Sequence, residues 1–175
     1  MRTFSKKKYA YTEGETSRKY LSVLGPNLHH YLTPRKVLNA ARVELDTRRR
    51  AIRVSSRPYV FHVEPTNICT VRCPYCRTGA GDNELKPGMM TFPLFKKIFD
   101  ELRDDLIMVR LDGAGEPFLN PVIAEMISYC HTQGVATTMS TNLQNCDEVS
   151  LERVVRAGLD YLICSIDGTT QEVYE

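Results

Sequence analysis

Three cysteines within eight residues are the side chains of this sequence best suited to chemistry. Cys69, Cys73 and Cys76 follow the apolar run Tyr59–Val63, and thiolates are ligands that iron–sulfur clusters and zinc select. Three thiols are one short of the four that complete a structural zinc site or an ordinary four-iron cluster. An iron that lacks a fourth protein ligand can bind a small molecule, so this spacing predicts a metal centre with an open position.

The bulk composition is that of an ordinary globular chain, with 175 residues, 42% hydrophobic, 25% charged and six cysteines. No apolar stretch reaches the length of a membrane span. The basic stretch Met1–Tyr11 has no apolar segment behind it, so no secretory signal is expected. Cysteines in such a chain indicate metal or redox chemistry in a reducing compartment, which predicts a cytoplasmic protein without disulfides.

The charges divide the chain into two segments. Residues 1–57 carry 14 Lys and Arg against 4 Asp and Glu, whereas residues 58–175 carry 9 against 17. We therefore predict a basic, mostly helical leader (1–57) ahead of a core (58–175). Arg48-Arg49-Arg50 is interpreted as the solvated end of a leader helix, where cations suit the helix dipole. No aromatic residues interleave with these arginines, so a nucleic-acid partner is not expected.

Strand and helix patterns alternate through the core. Strands are predicted at Tyr59–Glu64, Ile107–Asp112, Val135–Ser140 and Tyr161–Ile166. A helix pattern follows each strand, and the last one begins at Thr169 or Thr170. Repeated strand–helix units require crossover connections, so the fold class is predicted as α/β with a parallel sheet of about four strands.

Polar residues occupy one face of the first two predicted strands. His62 and Glu64 alternate with apolar residues in the first, and Arg110 and Asp112 do so in the second. A doubly wound sheet would bury both faces, so the pattern favours a barrel-like curve with a partly wet lumen. The equal alternative is that Arg110 forms a structural ion pair with Asp112 or Glu64.

The cysteine pattern, with Tyr75 before the last cysteine, resembles the cluster loop of the radical S-adenosylmethionine (radical SAM) superfamily. The resemblance continues through Asp112-Gly113-Ala114-Gly115-Glu116-Pro117. The Gly-Ala-Gly-Glu-Pro motif in this stretch is similar to the one common in the subgroup whose members often carry C-terminal cluster-binding (SPASM) extensions. Thr141-Asn142 and Ser165-Ile166-Asp167-Gly168, after the third and fourth strands, also look like family features. The resemblance covers roughly residues 57–175.

This resemblance implies a partial parallel (β/α) barrel preceded by a helical leader. It implies that Cys69, Cys73 and Cys76 hold a [4Fe–4S] cluster whose fourth iron binds S-adenosylmethionine. Reductive cleavage of this cofactor would yield a 5′-deoxyadenosyl radical for hydrogen abstraction, an oxidoreductase type of chemistry. The electron would come from a donor such as flavodoxin or ferredoxin. The substrate, a small molecule or a peptide, cannot be named, and no catalytic residue is assigned.

The resemblance also implies a set of cofactor-binding residues: Gly113, Gly115, Glu116, Ser165, Asp167, Tyr75 and Asn142. We expect Glu116 to accept a hydrogen bond from the amine of the cofactor, and the two glycines to let backbone approach it closely. Ser165 and Asp167 can reach ribose hydroxyls or the carboxylate of the ligand, although a helix-capping role explains them equally well.

Family cores usually contain more strand–helix units than the four predicted here, so we expect the chain to be truncated at its C-terminus.

Two other chemistries fit part of the cysteine pattern. Cys73 and Cys76 alone could form a glutaredoxin-like dithiol, but this would leave Cys69 and the Gly-Glu-Pro segment unexplained. A zinc-binding module would use His62 or a distant cysteine as its fourth ligand. We do not expect the remaining cysteines to bind metal, because Cys130 and Cys164 lie on apolar faces of predicted elements and Cys146 lies in a loop.

Overall fold

The computed structural model describes residues 21–81, 86–166, 168, 170 and 172. Its strands are β1 (Val60–Val63), β2 (Met108–Leu111), β3 (Ala136–Thr141) and β4 (Tyr161–Cys164). Its α-helices are α1 (Pro34–Arg48), α2 (Phe92–Leu102), α3 (Ile123–Thr132) and α4 (Glu148–Arg156), with 3-10 helices at Gly25–Tyr31 and Pro117–Leu119. Within the described ranges, no helix combines the length and apolar character needed to cross a membrane.

The sheet is parallel throughout, with the strand order β1-β2-β3-β4. Every predicted strand is present, with ends within two residues of those predicted. Helices α2, α3 and α4 connect successive strands, as parallel pairing requires. The α/β class is therefore confirmed. The helix predicted to begin at Thr169 or Thr170 lies largely outside the described residues.

Local sequence explains where the helices begin. The Thr33 side chain accepts a hydrogen bond from Lys36 N at 3.3 Å, and Pro34 occupies the first helical position of α1. Asp147 and Ser150 form a reciprocal capping box at the start of α4, with Ser150 N donating to Asp147 Oδ1 at 2.8 Å. These caps fix the points at which the chain turns away from the sheet.

The main hydrophobic core lies between the sheet and the connecting helices. Val109 and Leu111 of β2 are fully buried there against Phe95 and Phe99 of α2, which are one helical turn apart. The remaining buried members of this core are Val63, Leu106, Ile123, Met126, Ile127, Cys130, Val135, Met139 and Val154. This face of the sheet is therefore mainly apolar, with the buried threonines Thr137 and Thr141 of β3 on it as well.

The opposite face, which we call the inner face, has a buried apolar row at its amino-terminal end. Val60, Met108 and Ala136 are register partners across β1, β2 and β3. The leader residue Leu24 packs on this row and is itself 4% exposed. The partly buried residues around it are Leu21, Val23, Leu28 and Tyr31. The leader thus closes the amino-terminal end of the inner face.

Polar contacts hold the leader in this position. Tyr31 Oη donates to Asp160, and burial together with this contact raises the pKa of Tyr31. Lys36 Nζ donates to Gly134 O at 2.6 Å, and Arg35 forms two hydrogen bonds with Asp105 at 2.9 and 3.0 Å. The division into a leader (1–57) and a core (58–175) stays a prediction.

Candidate functional site

Three loops meet at the carboxyl-terminal end of the sheet. The cysteine-bearing loop follows β1, the segment Gly113–Glu116 follows β2, and the segment Asn142–Cys146 follows β3. Binding sites in parallel sheets lie at this end because all the strands end there and continue into neighbouring loops.

Contacts between its two ends hold the base of the cysteine loop. Thr66 forms an antiparallel bridge with Met89, and Met90 N donates to Pro65 O at 2.8 Å. Asn120 Nδ2 also donates to Pro65 O, at 2.7 Å, and to Met90 O at 3.0 Å. No sequence signal pointed to this role of Asn120. The two ends of the cysteine loop therefore lie side by side just beyond β1.

The three loop cysteines are partly exposed and carry free thiols. Cys76 N donates to Cys73 O at 3.1 Å, and Ala80 N donates to Cys76 O at 2.7 Å, so the chain makes a tight turn between these thiols. A Cβ atom at Gly79 would lie 2.5 Å from Cys73 N, which makes glycine the residue that allows this turn.

The chemistry of this donor set fits an iron–sulfur cluster. Within the described ranges, no three His, Cys, Asp or Glu side chains converge where a single metal ion would bind. A four-iron cluster does not need such convergence, because each thiolate ligates a different iron. Cys69 also receives a hydrogen bond on its sulfur from Asn142 Nδ2 at 3.5 Å, a contact that suits a thiolate.

The glycines after β2 are needed for packing within the protein itself. A Cβ atom at Gly115 would lie 2.2 Å from Thr66 O, at the base of the cysteine loop. Gly113 has a φ of 154°, and a Cβ atom there would lie 2.3 Å from the Glu64 side chain. The described contacts thus give both glycines a structural reason that differs from the predicted approach of backbone to a ligand, and their cofactor role stays a prediction.

Glu116 is a buried carboxylate at the centre of the three loops, 2% exposed. Its Oε1 accepts hydrogen bonds from Thr141 Oγ1 at 2.8 Å and Phe118 N at 3.2 Å, and its Oε2 accepts one from Asn142 N at 2.9 Å. Its own backbone N donates to Ile68 O at 2.8 Å, next to Cys69. Among the ion pairs of the described side chains, none involves Glu116. A carboxylate has about four acceptor positions, so one remains available for a cationic donor.

The other predicted cofactor residues have different settings. Tyr75 is fully exposed, and Ser165 is exposed at the end of β4, where its Oγ lies 3.2 Å from Ser140 Oγ. Asp167 lies outside the described residues. Of the predicted set, the structure therefore brings together Cys69, Glu116 and Asn142.

A charged cluster occupies the middle of the inner face. His62 Nε2 lies 2.5 Å from Asp112 Oδ1, and Arg110 donates to Asp112 Oδ2 at 2.9 Å. The hydrogen bond to Asp112 raises the pKa of His62. Burial alone would raise the pKa of Asp112, but the hydrogen bonds from His62 and Arg110 lower it below its usual value. The predicted ion pair of Arg110 is thus present, and it lies on the face predicted to be wet.

The remaining cysteines lie apart from the loop thiols. Cys130 is fully buried in the main core, and burial raises the pKa of its thiol. Cys146 donates to Leu143 O at 3.3 Å. Cys164 shares its face of β4 with Leu162, which packs on the main core, as predicted, but Cys164 itself is exposed.

Comparison with known proteins identifies the family. The model described as the Radical SAM superfamily matches residues 63–175, which is more than half of the chain. The chain belongs to the radical SAM superfamily. This radical SAM chain carries the three loop cysteines and Glu116 within the matched residues.

Two curated relatives have enzyme-related names. One is a tungsten-containing aldehyde ferredoxin oxidoreductase cofactor-modifying protein of Pyrococcus furiosus, 30% identical over 61% of this chain and 30% of the relative. Another is the PqqA peptide cyclase of Gluconobacter oxydans, 26% identical over 66% of this chain and 32% of the relative. The chain therefore spans about a third of the length of these relatives.

A solved structure confirms the fold of this radical SAM chain. It is that of Streptococcus suis SuiB bound to S-adenosylmethionine, with a TM-score of 0.58 and 18% identity over 92% of this chain and 38% of that one. The predicted partial barrel and the predicted enzyme class are confirmed. Family membership supports radical chemistry with S-adenosylmethionine and an iron–sulfur cluster in general.

Proposed function

We propose that Cys69, Cys73 and Cys76 hold a [4Fe–4S] cluster, and that Glu116 binds the amine of S-adenosylmethionine beside it. When bound, the reduced cluster would supply the one electron that cleaves S-adenosylmethionine into methionine and a 5′-deoxyadenosyl radical. This radical would abstract hydrogen from a substrate. The electron donor is a protein such as flavodoxin or ferredoxin, and the substrate is a small molecule or a peptide. The cytoplasm is the proposed location.

The observation that carries this proposal is the environment of Glu116. Its carboxylate is buried with three hydrogen bonds and no cation from the described side chains. A buried charge is costly unless it is paired, so the site favours a positively charged ligand. A ligand amine bound there would lie next to the cysteine loop, because Glu116 N bonds to Ile68 O and Asn142 bridges Glu116 to Cys69.

The other residues orient the ligand and exclude water. Thr141 Oγ1 fixes the carboxylate of Glu116, and Gly115 lets the cysteine loop pack directly on this segment. The cluster of His62, Asp112 and Arg110 forms a polar floor farther down the inner face. The apolar row closed by Leu24 covers the amino-terminal end of this face against solvent.

Reconstitution without oxygen tests the cluster. We expect about four irons and four sulfides per chain and a brown colour. Replacing any one of Cys69, Cys73 or Cys76 by Ala should abolish the colour. Cys164→Ser is the matched control, because Cys164 is exposed and lies outside the loop. A colourless, iron-free protein would overturn the proposal, stoichiometric zinc would favour a zinc module, and dithiol reductase activity without metal would favour a glutaredoxin-like function.

Glu116→Gln tests the cofactor site. Gln keeps the size of the side chain but removes its negative charge, so we expect the affinity for S-adenosylmethionine to fall at least about tenfold, which is about 1.4 kcal/mol. The change in the electron paramagnetic resonance (EPR) spectrum of the reduced cluster on titration with S-adenosylmethionine measures this affinity. Formation of 5′-deoxyadenosine after dithionite reduction measures turnover. Equal affinities in the two proteins would contradict the role of Glu116.

A further inference from the structure

The side chain of Asn142 has its direction fixed by three contacts at the end of β3. Its backbone N donates to Glu116 Oε2 at 2.9 Å, and its Oδ1 accepts a hydrogen bond from Gln144 N at 2.9 Å. Because the oxygen of the side-chain amide accepts this hydrogen bond, the other branch of the amide carries the donating nitrogen. That nitrogen lies 3.5 Å from Cys69 Sγ.

The turn that holds Asn142 is fixed by hydrogen bonds to the end of β3. Leu143 adopts a left-handed backbone conformation with a φ of 62°, and its N donates to Thr141 Oγ1 at 3.0 Å. Thr141 is 2% exposed and is the last residue of β3. Asn142 therefore directly follows the buried end of β3, in a turn whose hydrogen bonds place its amide beside Cys69.

We propose that Asn142 sets the reduction potential of the iron–sulfur cluster by donating a hydrogen bond to the sulfur of Cys69. This proposal rests on the proposed function, because it requires Cys69 to be a cluster ligand. Reduction adds negative charge that is shared with the ligating sulfurs. A donor aimed at such a sulfur stabilises the reduced state more than the oxidised state and raises the potential. Asn142 is a positioning residue in this scheme and takes no part in bond cleavage.

Two substitutions remove the hydrogen bond to the sulfur of Cys69 but keep the acceptor for Gln144 N that holds the turn. Asn142→Ser keeps a side-chain oxygen that can accept from Gln144 N, but it has no group that reaches the sulfur. Asn142→Asp keeps the shape and the acceptor and places a negative charge where the donor was. Asn145→Asp is the matched charge control, because Asn145 lies in the same loop and contacts Thr70 rather than a cysteine sulfur.

The measurement is a redox titration of the reconstituted cluster, followed by EPR. At the midpoint potential of the unchanged protein, we expect the ratio of reduced to oxidised cluster to fall about tenfold in Asn142→Ser, which is 59 mV for one electron. The fall should be larger in Asn142→Asp and much smaller in Asn145→Asp. Equal shifts in Asn142→Asp and Asn145→Asp would show a general charge effect and would overturn the proposal, as would an unchanged midpoint in Asn142→Ser.

A measurement on the unchanged protein covers the case in which a variant loses its cluster. Protein labelled with 15N in the asparagine side chains should show 15N coupling to the reduced cluster by pulsed EPR. Absence of this coupling in a protein that does hold its cluster overturns the role of Asn142 and leaves the proposed function intact. A protein that forms no cluster at all overturns both proposals.

Discussion

The amino-terminal and carboxyl-terminal ends of the sheet differ in how their buried groups are packed and paired. At the amino-terminal end, the row of Val60, Met108 and Ala136 is covered by Leu24, and the polar contacts there join the leader to the core. At the carboxyl-terminal end, Glu116 is buried without a cation from the described side chains, and the loop thiols are partly exposed. The first end is packed by residues of the chain itself, whereas the second has a buried carboxylate without such a partner, which supports the proposed ligand site.

This difference shows how stability and function are separated in the molecule. Apolar burial at the amino-terminal end contributes stability directly. The carboxyl-terminal end holds a buried charge that costs stability until a cation pairs with it. Substitutions at the two ends should therefore differ in what they damage.

The largest effect is expected when a glycine at the carboxyl-terminal end of the sheet, Gly115, is replaced by Ala. Gly134, at the amino-terminal end, provides the comparison. In Gly115→Ala the new Cβ would lie 2.2 Å from Thr66 O, which is backbone and cannot move aside. We expect a loss of about 3 kcal/mol in the free energy of unfolding together with loss of cluster loading. In Gly134→Ala nothing lies within 4 Å of the new Cβ, and only the φ of 64° is strained, so a loss of about 1 kcal/mol with normal loading is expected.

Chemical denaturation and iron content after reconstitution measure these two effects. If Gly134→Ala impaired cluster loading as strongly as Gly115→Ala, the separation of the two ends would be wrong.

A smaller effect is expected when the closure of the amino-terminal end is weakened. Leu24→Ala removes a buried side chain from the row of Met108 and Ala136 and should cost about 2 to 3 kcal/mol. Iron content per folded chain should stay unchanged. Leu38→Ala is the matched control, because Leu38 is 53% exposed and its loss should cost less than about 0.5 kcal/mol.

Urea unfolding and iron analysis of Leu24→Ala and Leu38→Ala test this. A normal stability with reduced iron content in Leu24→Ala would contradict the assignment of this end to stability.

The smallest expected effect lies between the two ends, at His62. Because its pKa is raised by Asp112 in the folded protein, the pair stabilises the fold fully below about pH 6.5, the ordinary pKa of histidine. This stabilisation is lost as the pH rises through the higher folded pKa of His62. The side chain is 49% exposed, so the effect should stay below about 1 kcal/mol.

The difference in the free energy of unfolding between the unchanged protein and His62→Gln, measured in urea at pH 6 and pH 9, tests the sign. We expect the larger difference at pH 6. If the difference did not change with pH, the pair of His62 and Asp112 would make no ionic contribution to the free energy of unfolding.

The strand–helix order was predictable because period and caps are local properties. The alternation of β2 placed Val109 and Leu111 on one face and Arg110 and Asp112 on the other, and both faces are as expected. Cys164 shares a face with the core residue Leu162 and is nevertheless exposed, because the same alternation cannot show whether anything covers that part of a strand. Exposure at an edge depends on neighbours that are distant in sequence.

For the site, residue types were predictable but their partners were not. Glu116 was expected to face a ligand amine, and its contacts with Thr141 and Asn142 came only from the folded arrangement. No local pattern singled out Asn120, yet its amide holds the base of the cysteine loop. Such contacts join residues 25 to 55 positions apart, so no local pattern carries them.

The sequence by itself determined the donor chemistry, the parallel strand–helix order and the family, because each depends on residue type and short-range spacing. Tertiary structure alone decided which residues surround Glu116, that Asn142 faces the sulfur of Cys69, and that Leu24 covers the amino-terminal end of the inner face. The physical reason is that burial and hydrogen-bond pairing are set by the packing of distant segments. Spacing along the chain fixes which groups are available, and packing fixes which of them meet.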